Sequence, residues 1–146
     1  MTNSAAYVEL HCHSYYSLLD GASSPEALLE RAALLGMDAL ALTDHDAVYG
    51  AVRFHNAARE LGVRPILGAE LTLHNDCHLT LLVQDAAGWH NLCSLITLAR
   101  HNAPKGAARL PNGALEAHAE GLIALSGCRQ GEIAQRLRTG EHETAL

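Results

Sequence analysis

Two histidines one residue apart, His11 and His13, close a short apolar stretch in YVELHCHSYYSLLDG, and Asp20 follows shortly after them. On an extended segment such a pair projects from one side, so both imidazoles can clamp one ion or two adjacent ions. Neutral imidazole is the commonest metal ligand, and 10 histidines among 146 residues is a surplus that needs a reason. Three further stretches carry ligand chemistry: Asp44-His45-Asp46 in TDHD, Glu70 in GAE, and Cys128 in SGC. Each also has an ordinary reading. His45 could be a turn residue, with Asp44 or Asp46 capping the helix that follows. Glu70 could be a solvated carboxylate, or could bridge two cations with its two oxygens. Cys128 could be a small buried residue. His55, His74, His90, His101, His118 and His142 fall on helix faces or loops, where an exposed or satisfied imidazole is the rule.

The elements that must position these groups alternate in type. Tyr7 to Leu10 reads as a first strand running into the histidine pair. SSPEALLERAALLG is a helix with Ser24 as N-cap, Pro25 first, Gly36 as stop, and Leu28, Leu29, Ala32, Ala33 and Leu35 as its apolar face. DALAL is a second strand entering the TDHD turn, and AVYGAVRFHNAARELG a helix closed by Gly62. VRPILGAE is a third strand ending at Glu70, and ELTLHNDCHLTLLV a hairpin around Asn75-Asp76.

Trp89 to His101 is a helix burying Leu92, Leu95, Ile96 and Leu98, and HNAPKGAARLPNG is a loop. Then come a short helix near Ala114 to Ala119, a buried strand in GLIALSGC, a helix over Gly131 to Arg138, and a helix opening at EHETAL. The expected class is α/β with a mostly parallel sheet. A closed (β/α)8 barrel takes about 250 residues, so this length supplies only part of a barrel and leaves a strand edge unprotected. In such folds reactive groups gather at strand ends, and four of these ends carry potential ligands toward one face.

Composition narrows the function classes. The net charge is -6, and Lys105 is the only lysine, so no cationic stripe is present and nucleic-acid binding by this chain alone should be weak. No apolar run approaches the roughly 18 residues that span a bilayer, and MTNSAAYVEL lacks the basic start and apolar core of a signal peptide. The cytoplasm is the expected compartment, with no membrane partner. The four cysteines form no CxxC pair, which argues for reduced thiols.

Taken together, HCHSYYSLLDG, TDHD, GAE and LIALSGC resemble the polymerase and histidinol phosphatase (PHP) domain at the amino terminus of bacterial DNA polymerase III α subunits. YVELHCHS, GASSPEALLERAALLGMDALALTD and GWHNLCSLITLAR are similar to its error-prone branch, and the likeness runs from about Tyr7 to Arg138. It implies a partial PHP-type distorted (β/α) barrel around two or three divalent ions, usually zinc, manganese or iron. The implied ligands are His11, His13, Asp20, His45, Glu70 as a bridging carboxylate, His78 and Cys128, with Glu70, His13 and His45 central to catalysis. The family completes its site with an Asp-x-His pair well beyond the region that the likeness covers, and this sequence stops at Leu146 before reaching that pair; the palm, fingers and thumb of a polymerase are absent as well.

The activity implied is metal-dependent phosphoester hydrolysis, in a polymerase setting a 3′ to 5′ exonuclease for proofreading during DNA replication or repair. The substrate would be a DNA 3′ end or another phosphoester, and the partners other polymerase domains or replication subunits. The rival expectation is a non-catalytic structural or partner-binding module, or an inactive fragment, with an incomplete metal site.

Overall fold

The computed structural model describes residues 7–101 and 103–141. The helix opening expected at EHETAL lies outside them apart from Glu141, as does His142. The chain forms two compact units, one running through Asp44 and including Val48–Leu67, the other comprising His45–Ala47 and the chain from Gly68 onward.

In the first unit, helix α1 (Pro25–Leu34) starts where Ser24 accepts a hydrogen bond from the Ala27 amide and Pro25 occupies the first turn. Both choices satisfy or remove amides that a helix start leaves without partners. Strand β1 (Ala39–Leu42) is buried along its whole length, and α2 (Ala51–Leu61) ends on Gly62 in the left-handed conformation. Leu29, Ala32, Leu40, Leu42, Phe54, Ala58 and Val63 form the apolar core. Helix α1 buries Pro25, Leu29 and Ala32, whereas Ala33 and Leu35 of its expected apolar face lie exposed. The expected first strand is reduced to a single parallel bridge between Glu9 and Leu40.

Strand β2 (Arg64–Thr72) belongs to both units. Its first half pairs parallel with β1, Ala39 opposite Arg64 through Leu42 opposite Leu67. From Gly68 onward it pairs antiparallel with β3 (His78–Val83), which pairs antiparallel with β4 (Leu122–Leu125). The strand order is β1-β2-β3-β4, and the sheet is open. The α/β class therefore stands, while the expectation of a mostly parallel sheet is corrected to a mixed one. The cause is local: Leu73 and Cys77 close a tight hairpin turn, with Asp76 at φ 62° and the Asn75 side chain accepting from the Cys77 amide. A turn this short can only reverse the chain.

Helix α3 (Ala86–Arg100), capped by Asp85, packs on β3 and β4 and buries Leu92, Leu95, Ile96 and Ala99; Leu98 stays at the surface. Two short helices, α4 (Ala114–Ala117) and α5 (Glu132–Thr139), follow. The apolar GLIALSGC stretch predicts a buried strand, yet Ile123 of β4 is 43% exposed. Among the described residues it has a neighbour on one side only, so this is the unprotected edge. All four cysteines are free thiols.

Candidate metal centre

Glu70 is not at the end of its strand but inside it, opposite Thr80 of β3 and bridged in parallel to His45. Its carboxylate is 1% exposed. Two imidazoles converge on one of its oxygens: His45 Nε2 lies 3.3 Å from Oε2, and His78 Nδ1 lies 3.5 Å from the same atom. The two rings stand edge to face with centroids 4.9 Å apart. His45, Glu70 and His78 thus offer three ligand atoms within 4.8 Å of one another.

The surrounding chain fixes each of them. Asp46, in the left-handed conformation at φ 48°, donates its amide to the Glu70 carbonyl at 2.9 Å. Its carboxylate accepts from the Thr72 amide and the Thr72 hydroxyl, both at 2.8 Å. Arg100 of α3 donates to the Asp46 carbonyl at 2.8 Å. These bonds fasten the His45–Ala47 segment along β2. The idea that Asp44 or Asp46 caps the next helix fails, because the α2 N-cap is Gly50 with no side-chain bond.

His78 opens β3, bridged to Gly131, and its amide donates to the Gln130 carbonyl at 3.0 Å. The SGC motif supplies this support: Gly127, at φ 78°, lies so close that an added Cβ would meet the His78 carbonyl at 2.9 Å. Only glycine accepts both the backbone angle and the contact. Cys128 itself is half-buried, and its Sγ accepts from the Gln130 amide at 3.3 Å.

In the first unit, His11 and His13 place their rings 4.9 Å apart at 73°. Between them, burial pushes the Cys12 thiol up to about 11, with the Glu9 and Asp44 charges adding to the shift, so at neutral pH it stays a thiol. Asp20 is exposed, in a turn whose amides at Asp20 and Gly21 donate to the Ser17 carbonyl. Neither Asp20 nor Cys128 joins a converging set of His, Cys, Asp or Glu ligand atoms among the described residues. Of the other histidines, His55, His74, His90 and His101 are exposed, and His118 bonds the Ala114 carbonyl.

Polar residues absent from the expected ligand set turn out to matter. Asp44, 1% exposed, accepts from the Ser14 amide at 2.7 Å, the Ser14 hydroxyl at 2.8 Å and the Ser17 hydroxyl at 2.6 Å. Ser17 Oγ in turn lies 3.3 Å from His13 Nδ1. Two serines just after an HxH pair were the available signal.

The donor set fits a divalent cation. Two imidazoles and a carboxylate are the mixed nitrogen and oxygen chemistry that zinc, manganese or iron takes. His78 Nδ1 is moreover buried without a hydrogen-bond partner, a cost that a bound ion would remove. Thr80, opposite Glu70, likewise keeps a buried hydroxyl with no such partner.

An open mixed sheet that carries a buried carboxylate between two imidazoles is an arrangement suited to a divalent ion. The PHP domain model matches residues 9–146, and the chain belongs to the PHP domain family. It is 49% identical over 151 residues to the error-prone DNA polymerase of Symbiobacterium thermophilum, covering 92% of this chain and 14% of that protein. To the DNA polymerase III subunit alpha of Helicobacter pylori it is 35% identical over 150 residues, covering 95% of this chain and 12% of that protein. The chain therefore spans about one seventh or less of the length of these relatives. A solved protein from Bifidobacterium adolescentis, assigned as a metal-dependent phosphoesterase, superposes with a TM-score of 0.55 at 30% identity, covering 66% of this chain and 34% of that one. No helix among the described residues is long and apolar enough to cross a membrane.

Proposed function

We propose that this PHP domain is the metal-dependent phosphoesterase portion of a DNA polymerase III α-like, error-prone polymerase, acting on a DNA 3′ end as a 3′ to 5′ exonuclease. The observation that carries the reading is the convergence of His45, Glu70 and His78 on one buried point. These three would hold one ion. His11 and His13 would serve a second, with Asp20 and Cys128 completing the proposed ligand set. The chemistry supplied by such ions is activation of water and stabilisation of negative charge on phosphate oxygens. The protein's part is to keep Glu70 buried and immobile and to hold His45 against it through Asp46. Work beside polymerase domains and replication subunits, in the cytoplasm, belongs to the same proposal.

The test is release of nucleotides from a single-stranded 3′ end by the purified chain with added Mn2+ or Zn2+, set against a His13→Ala control. Turnover in the wild type alone supports the reading. A second reading, a non-catalytic structural or partner-binding module, is favoured by Cys128, whose Sγ is engaged by the Gln130 amide at 3.3 Å. It prevails if the ion binds while hydrolysis never exceeds the control.

A further inference from the structure

We propose that Asp44 and Ser17 are positioning residues that hold His13 in the tautomer with its proton on Nδ1, leaving the Nε2 lone pair for an ion. The proposal deepens the metal reading above, and rests on it for the role of His13 as a ligand.

Proton bookkeeping around Ser17 carries the inference. Asp44 accepts three hydrogen bonds: Oδ1 from the Ser14 amide at 2.7 Å and from Ser17 Oγ at 2.6 Å, and Oδ2 from Ser14 Oγ at 2.8 Å. A carboxylate is an acceptor only, so the hydrogen in the 2.6 Å contact is the one hydroxyl hydrogen Ser17 has. Ser17 Oγ can then only accept at its 3.3 Å contact with His13 Nδ1, and the imidazole must supply the hydrogen. A neutral imidazole protonated on Nδ1 carries its lone pair on Nε2.

The geometry is built rather than incidental. Ser14 is 0% and Ser17 1% exposed, so water competes poorly for these bonds. The Ser17 amide donates to the Ser14 carbonyl at 2.9 Å, a turn that brings Ser17 back under His13. Asp44 follows directly from the buried β1 strand through Thr43, whose amide and hydroxyl bond Cys12. An outer carboxylate acting through a neighbour on a ligand imidazole fixes ring orientation and raises ligand basicity.

Long-range proton–nitrogen correlation on nitrogen-15-labelled, metal-free protein reads the tautomer directly, at a pH about two units above the ordinary imidazole pKa. His13 is assigned by its absence from the His13→Gln spectrum. The expected result is Nδ1–H in the wild type, and loss of that preference in Ser17→Ala together with Mn2+ binding weakened about tenfold or more. Nε2–H in the wild type overturns the proposal, as does an unchanged tautomer in a Ser17→Ala variant whose circular dichroism matches the wild type. Should the wild type show Nδ1–H and yet take up no Mn2+, the tautomer assignment stands and the metal reading falls.

Discussion

His45 Nε2 lies 3.3 Å from the buried Oε2 of Glu70, on a backbone segment that Asp46 fastens to the same strand. The pair is held from both sides, so removing charge from Glu70 should change ion affinity more than shape. In Glu70→Gln, nearly the same size, Mn2+ affinity by isothermal titration should drop by at least about tenfold, the loss seen even for outer partners of ligands. The circular dichroism spectrum should be preserved. Undiminished affinity would remove Glu70 from the ligand set.

Gly21 in LLDG sits where an added Cβ would lie 1.9 Å from the Ser14 carbonyl oxygen. Gly21→Ala must displace the turn that orders Ser14 and Ser17. A loss of about 1–3 kcal/mol is expected, the usual range for overpacking, measured by urea unfolding. The His13 ring resonances should shift as well.

Phe54 is fully buried at the centre of the first unit's core, against residues of α1, β1 and α2. Phe54→Ala should cost about 3–5 kcal/mol from lost transfer energy and the cavity left behind. Denaturant midpoints for the two proteins measure the difference.

Arg53 of α2 grips Glu26 of α1 through two bonds, Nε to Oε1 at 2.7 Å and Nη2 to Oε2 at 3.0 Å. The guanidinium's hydrogen bonds hold the Glu26 carboxyl below its usual value. A depressed folded pKa adds stability above the unfolded carboxylate value of about 4.3 and loses it as pH falls through the lower folded value. Arg53→Ala should therefore lower the thermal midpoint at neutral pH, by much less than Phe54→Ala because the pair is largely exposed. The two midpoints should draw together in acid, as followed by thermal melts across pH.

Local signals in the sequence were reliable where chemistry is local. Ser24, Pro25 and Gly62 mark helix ends, Asn75-Asp76 marks the hairpin, and all are found as read. Less legible were features set by partners distant in the chain. Whether β4 is buried depends on how many neighbours it has, which alternating composition does not encode. Glu70 reads as the junction between a strand ending there and a hairpin arm starting there, yet β2 runs unbroken from Arg64 to Thr72, parallel to β1 in its first half and antiparallel to β3 in its second. Asp44 and Asp46 looked alike in TDHD; opposite neighbours, Ser14 and Ser17 for one and Thr72 for the other, give them separate structural tasks.

Metal content of the purified chain, by mass spectrometry after exhaustive dialysis, bears on the centre most directly, because binding by preformed imidazole and carboxylate ligands is the premise of every functional step. Tightly held zinc, manganese or iron in the wild type, stripped by combining His45→Ala with His78→Ala, is the expected result. A well-folded wild type that carries no such metal and takes up none from excess Mn2+ or Zn2+ would contradict it.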